Sequence, residues 1–109
     1  MRVLRLTRHK PTREQVNELV RIFGNGVTVI NVSETVPNAR RVAKLVKEHR
    51  ADVLEAVLPI GLLAEVIKTV KVPVIRAVMK RRLKADGSVE FVFDHYERVV
   101  KVEVIAERL

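Results

Sequence analysis

The chain has no cysteine and no tryptophan, four glycines, four prolines and only four aromatic residues in 109. Without thiols, neither disulfides nor thiolate metal sites are available. Three phenylalanines and one tyrosine make a poor stacking platform for single-stranded nucleic acid. No apolar run approaches the roughly 18 residues of a membrane span. No positively charged leader with an apolar block and cleavage site opens the sequence, so the expectation is a soluble, cytoplasmic protein. Acids are also scarce at one end: residues 1–50 hold eleven Lys and Arg against four acids, a net +7. Residues 51–109 hold ten against nine, a net +1.

What is present is enough for one domain with one core. The charge asymmetry implies an anionic partner. The competing explanation, the ion-pair networks of a heat-adapted (thermophile) surface, is weakened because the basic half lacks acids to pair with.

Hydrophobic periodicity divides the chain into alternating strands and helices. "VLRLT" (3–7) reads as a strand. Thr12 and Gln15 have capping-box spacing, and Val16, Leu19, Val20 and Phe23 follow at helical intervals up to Gly24-Asn25-Gly26. "VTVINV" (27–32) is a second strand, and a helix from Asn38 to Arg50 turns Ala39, Val42, Leu45 and Val46 inward. A third strand runs to Leu58, followed by a loop at Leu58-Pro59-Ile60-Gly61 and a helix from Leu62 to Val70. Pro73 starts a fourth strand, where a sheet tolerates it. Residues 74–83, a turn at Asp86-Gly87, residues 88–94, a bend at "HYER" and residues 99–107 read as an antiparallel meander. The fold class is therefore α/β, a Rossmann-like or flavodoxin-like three-layer sheet with core strand order 2-1-3-4. Residues 1–73 form the βαβαβα core and residues 74–109 the C-terminal β-meander of one domain (1–109). One face is left thinly covered over strands 3 and 4, so a homodimer is expected.

Glu55 lies inside an apolar strand. It is either a catalytic acid–base or the centre of an Arg5–Glu55–Arg76 cluster. Mid-strand lies too far from the ligand crevice of such sheets, which favours the cluster. That crevice opens beyond the carboxyl ends of the strands, between strands 1 and 3. Thr7, Arg8, His9 and Lys10 converge there with Leu58, Pro59, Ile60 and Gly61; Asn31, Ser33 and Glu34 are adjacent. Gly61 would let backbone approach a ligand, and the next helix offers free N–H groups. No GxGxxG, GxxxxGK[ST] or GxSxG occurs, and the three histidines are too dispersed for a metal motif, so no cofactor and no metal are expected. What remains possible without a metal is in-line attack of an RNA 2′-hydroxyl on its own phosphodiester, held by Arg, Lys, His, Ser and N–H groups. Arg40, Lys44 and Lys47 form a basic stripe with Arg41 and Arg50 nearby. It is either a nucleic-acid-binding surface or a solvated helix face. "MKRRLK" (79–84) is either a basic ribbon or an edge protected by charge.

"LTRH" at the end of strand 1, "PTREQ" opening helix 1 and "VLPIGLLAEVI" after strand 3 together resemble the small single-domain CRISPR-associated proteins of type III systems, of the CARF kind. The resemblance covers residues 1–75 in layout and is specific at Arg8-His9 and at Leu58-Pro59 with Leu63-Ala64. It implies a homodimer that binds a cyclic oligoadenylate second messenger in antiviral defence, and for some members its cleavage as a metal-independent ring nuclease. Arg8, His9 and Lys10 would then hold phosphates or orient the attacking hydroxyl. Ser33, Ile60 and Gly61 would bind the ring, and Leu58 and Pro59 would shape the base pocket. The meander and the uninterrupted "RHKP" turn depart from that pattern. "ADV…VPVI" is also similar to flavodoxin-like sensor and racemase domains, whose cysteines are missing here. The alternatives are a basic nucleic-acid-binding protein and a structural dimerisation module.

Overall fold

Local signals set the helix ends. In the computed structural model, which describes residues 1–103 and 105–109, the Thr12 hydroxyl accepts from the Gln15 N–H and the Gln15 side chain accepts from the Thr12 N–H, at 3.2 and 3.0 Å. This reciprocal cap starts α1 (Arg13–Phe23), which ends at Gly24 with φ of 94°. Asn38 caps α2 (Ala39–Glu48). That helix closes with Arg50 N–H bonded to Lys47 O and Ala51 N–H to Val46 O, a Schellman arrangement. Arg50 takes the left-handed position (φ 51°) usually filled by glycine. α3 spans Ile60–Thr69.

The sheet holds β1 (Arg2–Leu6), β2 (Thr28–Val32), β3 (Val53–Ala56), β4 (Val74–Leu83) and β5 (Val89–Arg98) in the order β2-β1-β3-β4-β5. The first four strands are parallel and β5 is antiparallel to β4, as the α/β alternation and the Asp86-Gly87 turn predict. Side-chain parity assigns the faces. Leu4, Leu54 and Val74 turn to α2 and α3 and form the larger core with Val42, Leu45 and Val66. Val3, Val53 and Ile75 turn to α1, where Leu19 completes a smaller core.

Three expectations are corrected. The strand expected over 99–107 is not formed by the described residues. Val99 and Val102 instead pack on the larger core, and Val104 lies outside the described residues. β5 runs through "HYER" without a bend, up to Arg98. Ile60 and Gly61 belong to α3, with Pro59 as its N-cap: proline's fixed φ and missing N–H suit a helix start, so the loop closes two residues earlier. Among the described residues, no helix is long and apolar enough to cross a membrane.

Candidate functional site

At the carboxyl ends of β1 and β3, where strand order reverses, the chain leaves a crevice of about 340 Å³. Thr7, Arg8 and His9 form its polar wall, and Val57, Leu58, Pro59 and Leu62 the facing apolar wall. Glu34, Thr35 and Val36, after β2, close the third side. The Arg8 guanidinium is fixed across this mouth by a hydrogen bond from Nη2 to Thr35 Oγ1 at 3.1 Å. Glu34 is bound by Arg41 through both carboxylate oxygens, at 2.7 and 2.8 Å. Those hydrogen bonds hold its carboxyl below the usual glutamate range, so the rim acid is ionised and already neutralised.

Beneath the polar wall lies Arg5, 3% exposed. Its Nε donates to Glu55 Oε1 at 2.9 Å and its Nη2 to Gln15 Oε1 at 3.2 Å. Its Nη1 donates to Asn31 Oδ1 at 2.8 Å and to the His9 carbonyl at 3.1 Å. Asn31 in turn donates to the carbonyls of Thr7 and His9. One buried guanidinium thereby ties β3, the α1 cap and the loop carrying Arg8 and His9 into one network. Fixing that loop in advance lowers the entropy cost of ligand binding.

The expected Arg5–Glu55–Arg76 cluster is half right. Glu55 is in register with Ile75, so Arg76 points to the opposite face and pairs with Glu97 in solvent. The second partner is Tyr96, whose hydroxyl donates to Glu55 Oε1 at 2.8 Å. Glu55 Oε2 is buried and makes no hydrogen bond. Glu55 does not line the crevice and serves the scaffold beneath it. Burial first, then the Glu55 charge, push the Tyr96 phenol above its ordinary 10.0. A group whose folded pKa is raised stabilises fully below its unfolded value, and that contribution is lost as pH rises past it. Stability is therefore expected to decline above about pH 10, and less steeply in Tyr96→Phe. That variant also loses about 1.5–3 kcal/mol at neutral pH with its hydrogen bond to a charged acceptor. Chemical denaturation of both proteins from neutral to alkaline pH checks the sign; parallel curves would exclude Tyr96 as the titrating group.

Of the residues read from sequence, Thr7, Arg8, His9, Leu58 and Pro59 meet in the crevice. Lys10 and Ser33 are exposed but do not line it, and Asn31 serves the scaffold. Gly61 borders a neighbouring cleft with Asn38 and Arg40. A Cβ there would meet nothing within 4 Å, so close approach to protein does not require glycine. Along α2, Arg40, Lys44 and Lys47 are exposed, while Arg41 is engaged by Glu34 and Glu48, and Lys44 lies 3.9 Å from Glu48. Arg50 belongs to the helix-ending turn rather than to the stripe. The stripe is thus partly neutralised.

Sequence reasoning missed Thr35 and Val36, which cap the crevice, and Gln15, which serves both the helix cap and Arg5. Only Gln15 left a signal, its capping-box spacing. Among the described residues, no group of three or more metal-ligating side chains gathers. No protein-family model, curated protein or solved structure matches the chain.

Proposed function

We propose that this protein binds a nucleotide-type anion in the carboxyl-end crevice. Within that class, the motif resemblance points to a cyclic oligoadenylate messenger of CRISPR antiviral signalling, bound by a homodimer. The observation that carries the binding reading is Arg8, fixed by Thr35 opposite the apolar wall of Val57, Leu58 and Pro59. A guanidinium facing an apolar slot suits a ligand with a phosphate at one end and a base at the other. The α3 amino terminus adds to this: Pro59 supplies no side-chain cap, so the first-turn N–H groups keep their capacity for an anion.

Cleavage, in this reading, is attack of a ligand 2′-hydroxyl on the adjacent phosphorus. The 5′-oxygen leaves with a proton, and the product is a linear chain ending in a 2′,3′-cyclic phosphate. His9, the imidazole of the crevice, takes the proton from the 2′-hydroxyl and returns it to the leaving 5′-oxygen.

The test is a thermal-shift titration with cyclic tri-, tetra- and hexa-adenylate, followed by chromatography of the mixtures. One ring size is expected to stabilise the fold, and Arg8→Ala to weaken its binding about tenfold to a hundredfold, as loss of a charge-assisted contact does. His9→Ala should keep binding and lose any linear product. No shift with any ring would remove the messenger reading. An affinity for arbitrary duplex DNA that falls steeply with salt would replace it with phosphate-backbone binding by α2.

A further inference from the structure

β4 is much longer than its neighbour β3, which ends at Ala56 and pairs only as far as Ile75. From Arg76 onward β4 is hydrogen-bonded to β5 alone. The two strands therefore leave the sheet as a two-stranded ribbon, rising past the carboxyl edge on which the crevice opens. A lone ribbon of this kind is marginally stable in water and presents unpaired edges.

Its two faces differ. One carries cross-strand ion pairs: Arg76 with Glu97, Lys80 with Asp94, and Arg82 and Lys84 with Glu90. The other continues outward from the α1-side core through Tyr96, Phe93 and Met79 to Phe91, Leu83 and Val89. A β-bulge between Val78 and Met79 brings Phe93 and Tyr96, three residues apart, onto this one face, with ring centroids 5.0 Å apart. Phe91 is 67% exposed and Leu83 74%. With Met79 and Val89, also exposed, they line one face of the ribbon with apolar surface in water, the kind of patch that marks an interaction site.

We infer that this apolar face of the β4–β5 ribbon is a self-association surface, and that its occupant is the same ribbon of a second copy. Charge selects the occupant. The chain carries +8 overall, yet on the ribbon's charged face three acids pair with four bases, so two ribbons meet with less repulsion than the rest of the molecule would impose. The face also holds an unused complementary pair. Arg81 lies opposite Phe91 in the strip, and Glu14 stands at its rim beside Met79 and Phe93. Neither is ion-paired within the chain among the described residues. A two-fold axis uses such a pair twice, Arg81 of each copy meeting Glu14 of the other. The inference deepens the homodimer of the proposed function by naming its interface: a monomer would defeat both, a dimer surviving Phe91→Asp this interface alone.

Sedimentation velocity on the ligand-free chain at micromolar concentration tests it. The wild type is expected to be a dimer, Phe91→Asp and Leu83→Asp monomers with unchanged far-ultraviolet circular dichroism. Ile60→Asp, at an exposed apolar site on α3, across the sheet from the strip, should remain dimeric. Arg81→Glu and Glu14→Arg should each weaken dimerisation about tenfold, and the double exchange should restore it. Restoration separates a broken interface from an unfolded ribbon. A monomeric wild type, a dimer that survives Phe91→Asp, or a double exchange that fails to recover would overturn the assignment.

Discussion

Arg5→Met is expected to lower the free energy of unfolding by about 3–5 kcal/mol, because it leaves a buried carboxylate without its counter-charge. Glu55 is only 1% exposed and Oε2 already lacks a partner, so removing Arg5 would leave Glu55 with the Tyr96 hydroxyl alone. The same substitution leaves Asn31 Oδ1 without its donor and removes one of the two hydrogen bonds that Gln15 Oε1 and the His9 carbonyl each accept. Replacing both members of the pair, Arg5→Met with Glu55→Leu, should recover most of the loss, since an apolar pair of similar volume has no desolvation cost to offset. Urea denaturation of the two singles and the double measures the coupling. A single variant within 1 kcal/mol of wild type would show that water reaches Glu55. The predicted functional signature is separate: with the Arg5 anchor gone and Asn31 alone holding it, the loop at residues 7–10 should exchange amide hydrogens faster even where the protein remains folded.

The second large effect is expected at Leu19. Among the described residues α1 is the only helix on its face, and Leu19 is its fully buried apolar side chain, set against Val3, Val53 and Ile75. Leu19→Ala should cost about 2–5 kcal/mol, toward the upper end if the cavity does not collapse. Because the cap residues Thr12 and Gln15 sit on the same helix, α1 should open as a unit ahead of the larger core, and the crevice wall should loosen with it. Native-state hydrogen exchange distinguishes this from global unfolding. Equal opening energies for α1 and for β3 would contradict it.

The parts of this structure legible in the sequence are those set by local chemistry. Thr12 and Gln15, Asn38 and the Asp86-Gly87 turn each fixed an element boundary, and three strand–helix alternations fixed the parallel order. The crevice followed from that order, because its position is topological: Arg8, His9, Leu58 and Pro59 had to meet there. What escaped was register. Nothing near Arg76 reveals that Glu55 is paired with Ile75, since register between parallel strands is set by the crossover helices. One residue of offset sends a side chain to the other face. Tyr96 was hidden for the same reason, together with a bulge that shifts its phase. The apolar alternation of 99–103 imitates a strand, yet Val99 and Val102 satisfy it by packing on the core without a ladder.

The middle position of β1 has a kinetic consequence. The first strand of the chain has neighbours on both sides, and the inner one, β3, begins at Val53. During synthesis, β1 cannot complete its hydrogen bonding until β3 has followed it to Ala56, and the Arg5–Glu55 bond spans 50 positions. Closing so long a loop is slow, and hydrophobic contacts must bring the strands together before the charges can be desolvated as a pair. Arg5 therefore remains hydrated through the early life of the chain. Its burial belongs among the last steps of folding, so the loop above it becomes ordered only when the rest of the sheet is in place.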